Sequence, residues 1–167
     1  IVKKALENSG LPASRLELEI TESVFMGDIG NTEDMLARLR CLGVKLALDD
    51  FGTGYSSLSY LRRAPFSKIK IDQSFVRGCT EDSNSGHAII KAIADLARAM
   101  DMTTTAEGVE AMDELAMIGS LDVDLVQGFI FSRAVPHSEV MAKLKSGELV
   151  YEPVGPAKHR ARRRRLL

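Results

Sequence analysis

The chain has 167 residues with 45% apolar side chains, enough to build a core, and no apolar run reaches the roughly 18 residues of a membrane helix. Its formal charge of -1 hides an asymmetry: six basic side chains lie between Lys158 and Arg165, so the first 157 residues carry 16 basic and 23 acidic groups. Two cysteines, Cys41 and Cys79, exclude a disulfide framework or a cysteine zinc site, and His87, His137 and His159 form no ligand cluster.

Ile1 to Asn8 reads as a helix, without the apolar run of a signal peptide. Leu16-Glu-Leu-Glu-Ile20 alternates with period 2 and predicts a strand whose apolar face carries Leu16, Leu18 and Ile20 and whose polar face carries Glu17 and Glu19. Thr32 is placed to cap a helix with Met35, Leu36, Leu39 and Leu42 at helical spacing, ending at Gly43 in a left-handed conformation. A second alternating strand begins at Lys45, with Leu46 and Leu48 opposed to Ala47 and Asp49, and runs into Asp49-Asp50-Phe-Gly52-Thr-Gly54. Adjacent carboxylates at a strand end repel unless a cation lies among them, so this pair points to a divalent metal, where an isolated Asp-Asp-x-Gly is more often a solvated turn.

Ser56 to Arg63 predicts a short helix ending before Pro65. The next strand, Lys68-Ile-Lys-Ile-Asp72, opposes Ile69 and Ile71 to Lys68, Lys70 and Asp72. Gly86 to Met100 predicts a helix with Ile89, Ile90, Ile93, Leu96 and Met100 on its stripe. Thr103 to Glu110 and Val123 to Gln127 are weaker strands, each reaching a polar residue before glycine, and Ala111 to Ile118 and Ser138 to Ser146 are further helices. The rest, 153–167, reads as a basic, disordered tail behind a domain spanning 1–152.

Alternating strands and helices argue for an α/β fold with parallel strands and right-handed crossovers. Glu19, Asp49, Lys70, Glu107 and Gln127 are 30, 21, 37 and 20 residues apart, each about one βα unit, and so converge on one rim. No glycine-rich phosphate loop supports an open doubly wound sheet. The expected architecture is therefore an incomplete (β/α)8 TIM-type barrel of about five parallel strands with flanking helices, since a complete barrel takes about 250 residues.

Five segments together carry a family resemblance: Glu19-Ile-Thr-Glu22, Asp49-Asp-Phe-Gly-Thr-Gly-Tyr-Ser-Ser-Leu58, Lys68-Ile-Lys-Ile-Asp72, Ala106-Glu-Gly-Val-Glu110 and Gln127-Gly-Phe-Ile-Phe-Ser132. Their order and spacing resemble the EAL domain, the bacterial cyclic di-GMP phosphodiesterase family, from about residue 1 to residue 146. The resemblance implies hydrolysis of cyclic di-GMP to pGpG with two Mg²⁺ or Mn²⁺ ions. It implies that Glu19 and Asp49 ligate one metal, that Asp49 and Asp50 serve the other, that Lys70 positions water or neutralises phosphate, and that Glu107 accepts a proton. Glu22 would anchor the loop Phe51 to Ser57, while Asp72, Glu110 and Gln127 would serve substrate binding or loop anchoring.

The Glu-Ala-Leu segment that names the family, a following arginine and a metal-ligating asparagine would all precede Ile1. The chain by itself is thus expected to be the C-terminal part of a phosphodiesterase barrel with little or no turnover. It is expected in the cytoplasm, with upstream sensory or GGDEF domains as associated modules, a homo-oligomer or an edge-paired or element-swapped assembly, and no specific nucleic-acid polymer as partner. Two other readings fit some of the same residues: a non-catalytic EAL-like module that binds cyclic di-GMP or a protein, and an enolase-like Mg²⁺ barrel. The Asp49-Asp50 pair and the Phe-Gly-Thr-Gly loop weigh against the latter.

Overall fold

A computed structural model describes residues 1–26, 29–54, 58–77 and 84–147. They divide into two compact units, 1–130 and 131–167. The described part of the second contains helix α7, His137–Ser146, closed by Gly147 at φ 79°. The expected tail, 153–167, lies outside the described residues.

The first unit is a five-stranded parallel sheet with the strands in sequence order: β1 (Glu17–Thr21), β2 (Lys45–Phe51), β3 (Lys68–Ile71), β4 (Thr103–Ala106) and β5 (Leu125–Val126). Helix α1 (Val2–Ser9) precedes β1, and helices α2 (Ile29–Cys41), α3 (Leu58–Arg63), α4 (Gln73–Arg77), α5 (Asn84–Ala99) and α6 (Met112–Ser120) occupy the connections. Five parallel strands with flanking helices are the expected architecture, and among the described residues the sheet stays open: β1 pairs only with β2 and β5 only with β4.

Parity assigned the faces of the central strands correctly. Leu46, Leu48, Ile69 and Ile71 are at most 1% exposed and pack in one apolar cluster with Leu36 of α2 and Ile90, Ile93 and Ala97 of α5. Removing such side chains from water contributes about 1.5–3 kcal/mol each, so this layer fixes the strand register that presents the opposite face. On that face Lys68 Nζ reaches Glu17 Oε1 across the sheet at 2.5 Å.

Several boundaries differ from expectation. Helix α2 begins at Ile29, so Thr32 lies inside it and is no cap. Met35 and Ile89 are 44% and 39% exposed, not core-facing. A turn of 100° per residue puts Leu36 of α2, and Ile90, Ile93 and Ala97 of α5, at the centre of their stripes, leaving the preceding residue on the flank. Strand β5 is two residues long instead of five, because Asp124 does not extend the ladder. Its carboxylate Oδ2 accepts the Thr104 N–H at 2.8 Å and the Thr104 hydroxyl at 3.0 Å, while its own N–H donates to Thr104 Oγ1.

Candidate metal and nucleotide site at the strand ends

The C-terminal ends of β1 to β4 bring Glu19, Asp49, Lys70 and Glu107 together. Lys70 Nζ lies 2.6 Å from Glu19 Oε2, 2.9 Å from Asp49 Oδ1 and 2.6 Å from Glu107 Oε1. The lysine side chain is only 5% exposed, and an ammonium so deep is stable only when carboxylates surround it. Burial pulls the Lys70 pKa down, but the close carboxylates of Glu107, Glu19 and Asp49 outweigh it and leave the group above its ordinary value. Asp49 Oδ1, although close to the ammonium, has no hydrogen bond in good alignment.

Asp50 belongs to this mouth by a local irregularity. Strict alternation would turn it to the face opposite Asp49, yet the β2–β3 register shifts between Leu48 and Phe51, and Asp50 takes a left-handed backbone at φ 53°. Carboxylate oxygens of Asp49, Asp50 and Glu107 consequently lie within 4.8 Å of one another. The donor set, all oxygen and all anionic, fits a hard divalent cation. Burial, then the charges of Asp49 and Asp72, lift Asp50 above the usual carboxylate range against the pull of Lys70. Burial likewise lifts Glu107, opposed by its hydrogen bond to Lys70 and supported by the charges of Asp49 and Glu19. Both shifts owe most to burial and the rest to neighbouring negative charge, and it is this second part that a cation would relieve.

The loop after Asp50 is tied back to the 3-10 turn Glu22–Met26 that follows β1. Glu22, 6% exposed, accepts the Gly52 N–H on Oε1 at 3.2 Å. Gly52 has φ 94°, where a side chain would be strained and would also meet the Phe75 ring at 3.0 Å.

Beside the carboxylates opens a pocket of about 290 Å³ lined by Asp50, Asp72, Gln73, Arg77, Glu107, Glu110, Gln127 and Phe129, among others. Asp72, just past β3, accepts the Ser74 N–H at 2.9 Å and so caps α4, which projects Arg77 to Glu110 Oε1 at 2.9 Å. Val109 N–H donates to Gln127 O at 3.2 Å and Ile130 N–H to Val109 O at 3.1 Å. These bonds press the two loops so close that a Cβ on Gly128 would lie 2.0 Å from the Val109 oxygen.

All nine sequence-predicted site residues thus lie at this end of the sheet. Asp49, Asp50 and Glu107 form the carboxylate group, Glu19 joins through Lys70, Glu22 holds the loop, and Asp72, Glu110 and Gln127 line the pocket. Sequence reasoning missed Gln73, Arg77 and Phe129, which no strand parity marks. It also missed Glu114, 8% exposed, whose Oε2 accepts the Glu110 and Ala111 N–H groups at 2.8 and 3.1 Å. An acidic residue in the first turn of α6 was the available signal for that one.

With this geometry in place, the EAL domain family model matches residues 1–134, and the chain belongs to that family. The cyclic di-GMP phosphodiesterase NbdA of Pseudomonas aeruginosa is 47% identical over 135 residues, which cover 81% of this chain and 17% of NbdA. The solved structure of PaMucR phosphodiesterase in complex with c-di-GMP superposes with a TM-score of 0.78 at 39% identity, over 83% of this chain and 56% of that one. A manganese and cyclic di-GMP complex of Klebsiella pneumoniae BlrP1 gives 0.73 at 36% identity, over 79% of this chain and 33% of that one. The chain therefore spans a minor share of the curated relative and just over half of the PaMucR chain. No helix among the described residues is long and apolar enough to cross a membrane.

Proposed function

We propose that this end of the sheet binds cyclic di-GMP through divalent cations and forms the C-terminal part of a phosphodiesterase centre that hydrolyses it to pGpG. The observation that carries the reading is the convergence of Asp49, Asp50 and Glu107 on one point beside a buried lysine and an open pocket. Asp49, Asp50 and Glu107, with Glu19 beside them at Lys70, would hold Mg²⁺ or Mn²⁺. Such ions supply Lewis-acid activation of phosphate and of the attacking water.

The protein's own residues do the rest. Lys70 offsets the charge of the phosphodiester and orients water for in-line attack, and Glu107, its affinity for protons raised by burial, takes a proton from that water as its oxygen bonds phosphorus and the P–O3′ bond breaks, the leaving 3′-oxygen taking a proton from solvent. Gln127, Glu110 and Asp72 offer hydrogen-bonding groups to the nucleotide from the pocket wall, and Glu22 keeps Asp50 in place through the loop. Upstream sensory or GGDEF domains and a cytoplasmic location are part of the same proposal.

Calorimetry with cyclic di-GMP, with and without Mn²⁺, run beside a turnover assay, tests the reading. Binding that requires the cation is expected, with turnover by the 167-residue polypeptide at least a hundredfold below that of a full-length relative, because the chain spans only 56% of the PaMucR phosphodiesterase chain. Failure to bind the dinucleotide with Mn²⁺ present overturns it.

A further inference from the structure

We propose that Thr105 is a positioning residue, giving the Lys70 ammonium an alternative hydrogen-bond partner when a divalent cation takes the carboxylates that otherwise hold it. The inference rests on the cation-binding reading of Asp49, Asp50 and Glu107.

Thr105 is 6% exposed, and its hydroxyl oxygen has no hydrogen-bond partner among the described residues. Both neighbouring threonines are satisfied: Thr103 donates to Ser67 O at 3.3 Å and Thr104 to Asp124 Oδ2 at 3.0 Å. A buried hydroxyl left unbonded is destabilising, and such an exception in a well-paired strand calls for a physical reason.

Register supplies one. Thr105 is the direct partner of Lys70 across the β3–β4 ladder, so the two side chains leave the sheet on the same face. Glu107, two residues further on and just past the end of β4, also reaches Lys70.

Lysine has three N–H donors and no acceptor, and here the carboxylates of Glu19, Asp49 and Glu107 all crowd its nitrogen within 2.9 Å. Two of those carboxylates belong to the group able to hold a cation. Once they turn to a metal, the ammonium, still inside the sheet mouth, needs a new acceptor. The flexible four-carbon stem lets Nζ swing back toward β4, where the unused lone pairs of Thr105 lie adjacent. Lysine and metal then exchange partners instead of competing for the same oxygens.

The test is a Mn²⁺ titration of the full 167-residue chain, its Thr105→Val variant, which keeps the shape and removes the hydroxyl, and Thr105→Ser, which restores the hydroxyl. Thr105→Val is expected to bind Mn²⁺ about tenfold more weakly, the equivalent of one hydrogen bond to a charged group, and Thr105→Ser about as well as the parent. Without cation, Thr105→Val melts no lower than the parent, because no bond is lost. Equal Mn²⁺ affinity in parent and Thr105→Val overturns the inference while leaving the cation site standing, as does a Thr105→Ser variant as weak as the valine. Absence of saturable Mn²⁺ binding by the parent overturns both.

Discussion

Glu22 accepts the backbone N–H of Gly52 at 3.2 Å, linking the turn after β1 to the loop that follows the paired aspartates. Because Gly52 comes two residues after Asp50 and holds a left-handed backbone, the bond fixes the path that turns Asp50 toward Asp49. Glu22→Ala is expected to cost about 1–2 kcal/mol of stability through the lost bond to a charged group, and to weaken Mn²⁺ binding as Asp50 loosens. Urea unfolding and a Mn²⁺ titration read the two effects. A destabilised variant with unchanged Mn²⁺ affinity would mean that the loop does not position Asp50.

The second prediction concerns the cation site itself. Asp49→Ala should abolish specific Mn²⁺ binding, since its carboxylate contacts Lys70 and lies in the three-residue oxygen group. Asp34→Ala, on the exposed side of α2, should leave it intact. Electron paramagnetic resonance of free Mn²⁺ measures both, and equal losses would indicate diffuse charge attraction.

Much of this site was legible because its strands alternate. Glu19 and Lys70 each sit on the polar parity of a strand whose apolar parity is unmistakable, Glu107 follows a weaker strand, and βα spacing placed all three on one rim. Asp50 was legible only as a neighbour of Asp49: parity alone puts it on the wrong face, and the bulge that corrects this depends on a left-handed residue that the sequence marks only by the following glycine. The short β5 was over-read because Val123 to Gln127 carries three β-branched or apolar residues and reaches a polar one before glycine, while the Asp124 side chain takes the bonds a longer ladder would have made. Arg77 and Phe129 escaped because they reach the pocket from a capped helix and from the segment beyond β5, where no period governs orientation.

A third prediction follows from the raised Asp50 and Glu107 carboxyls. Each binds its proton more tightly folded than unfolded, so in cation-free protein the folded state loses stability as pH rises through the ordinary carboxylate range and then through the raised folded values. Lys70, raised above its ordinary value, has the opposite consequence: its contribution is complete below that ordinary value, about 10.4, and is lost only at higher pH. A divalent cation requires the deprotonated carboxylates and relieves their crowding. The melting temperature gained on adding Mn²⁺ should therefore be larger at about pH 7.5 than at about pH 4.5. An equal gain at both would show that the cation binds elsewhere.

The last prediction concerns the open sheet. Among the described residues, the five of β1 from Glu17 to Thr21 have a strand on one side only, and β5 leaves a shorter second edge. Unpaired strand edges recruit other chains unless charge, proline or a covering element protects them, and β1 contains no proline. Its glutamates offer little protection, because Glu17 and Glu19 are engaged with Lys68 and Lys70 across the sheet. The isolated polypeptide is accordingly expected to associate with itself, by edge pairing or by exchange of elements, in a concentration-dependent way. Sedimentation equilibrium over a wide concentration range checks this. A monomer that persists at high concentration and unfolds cooperatively would show that the β1 edge is protected within one chain, and mutation of Leu18 or Ile20 would then alter folding without altering assembly.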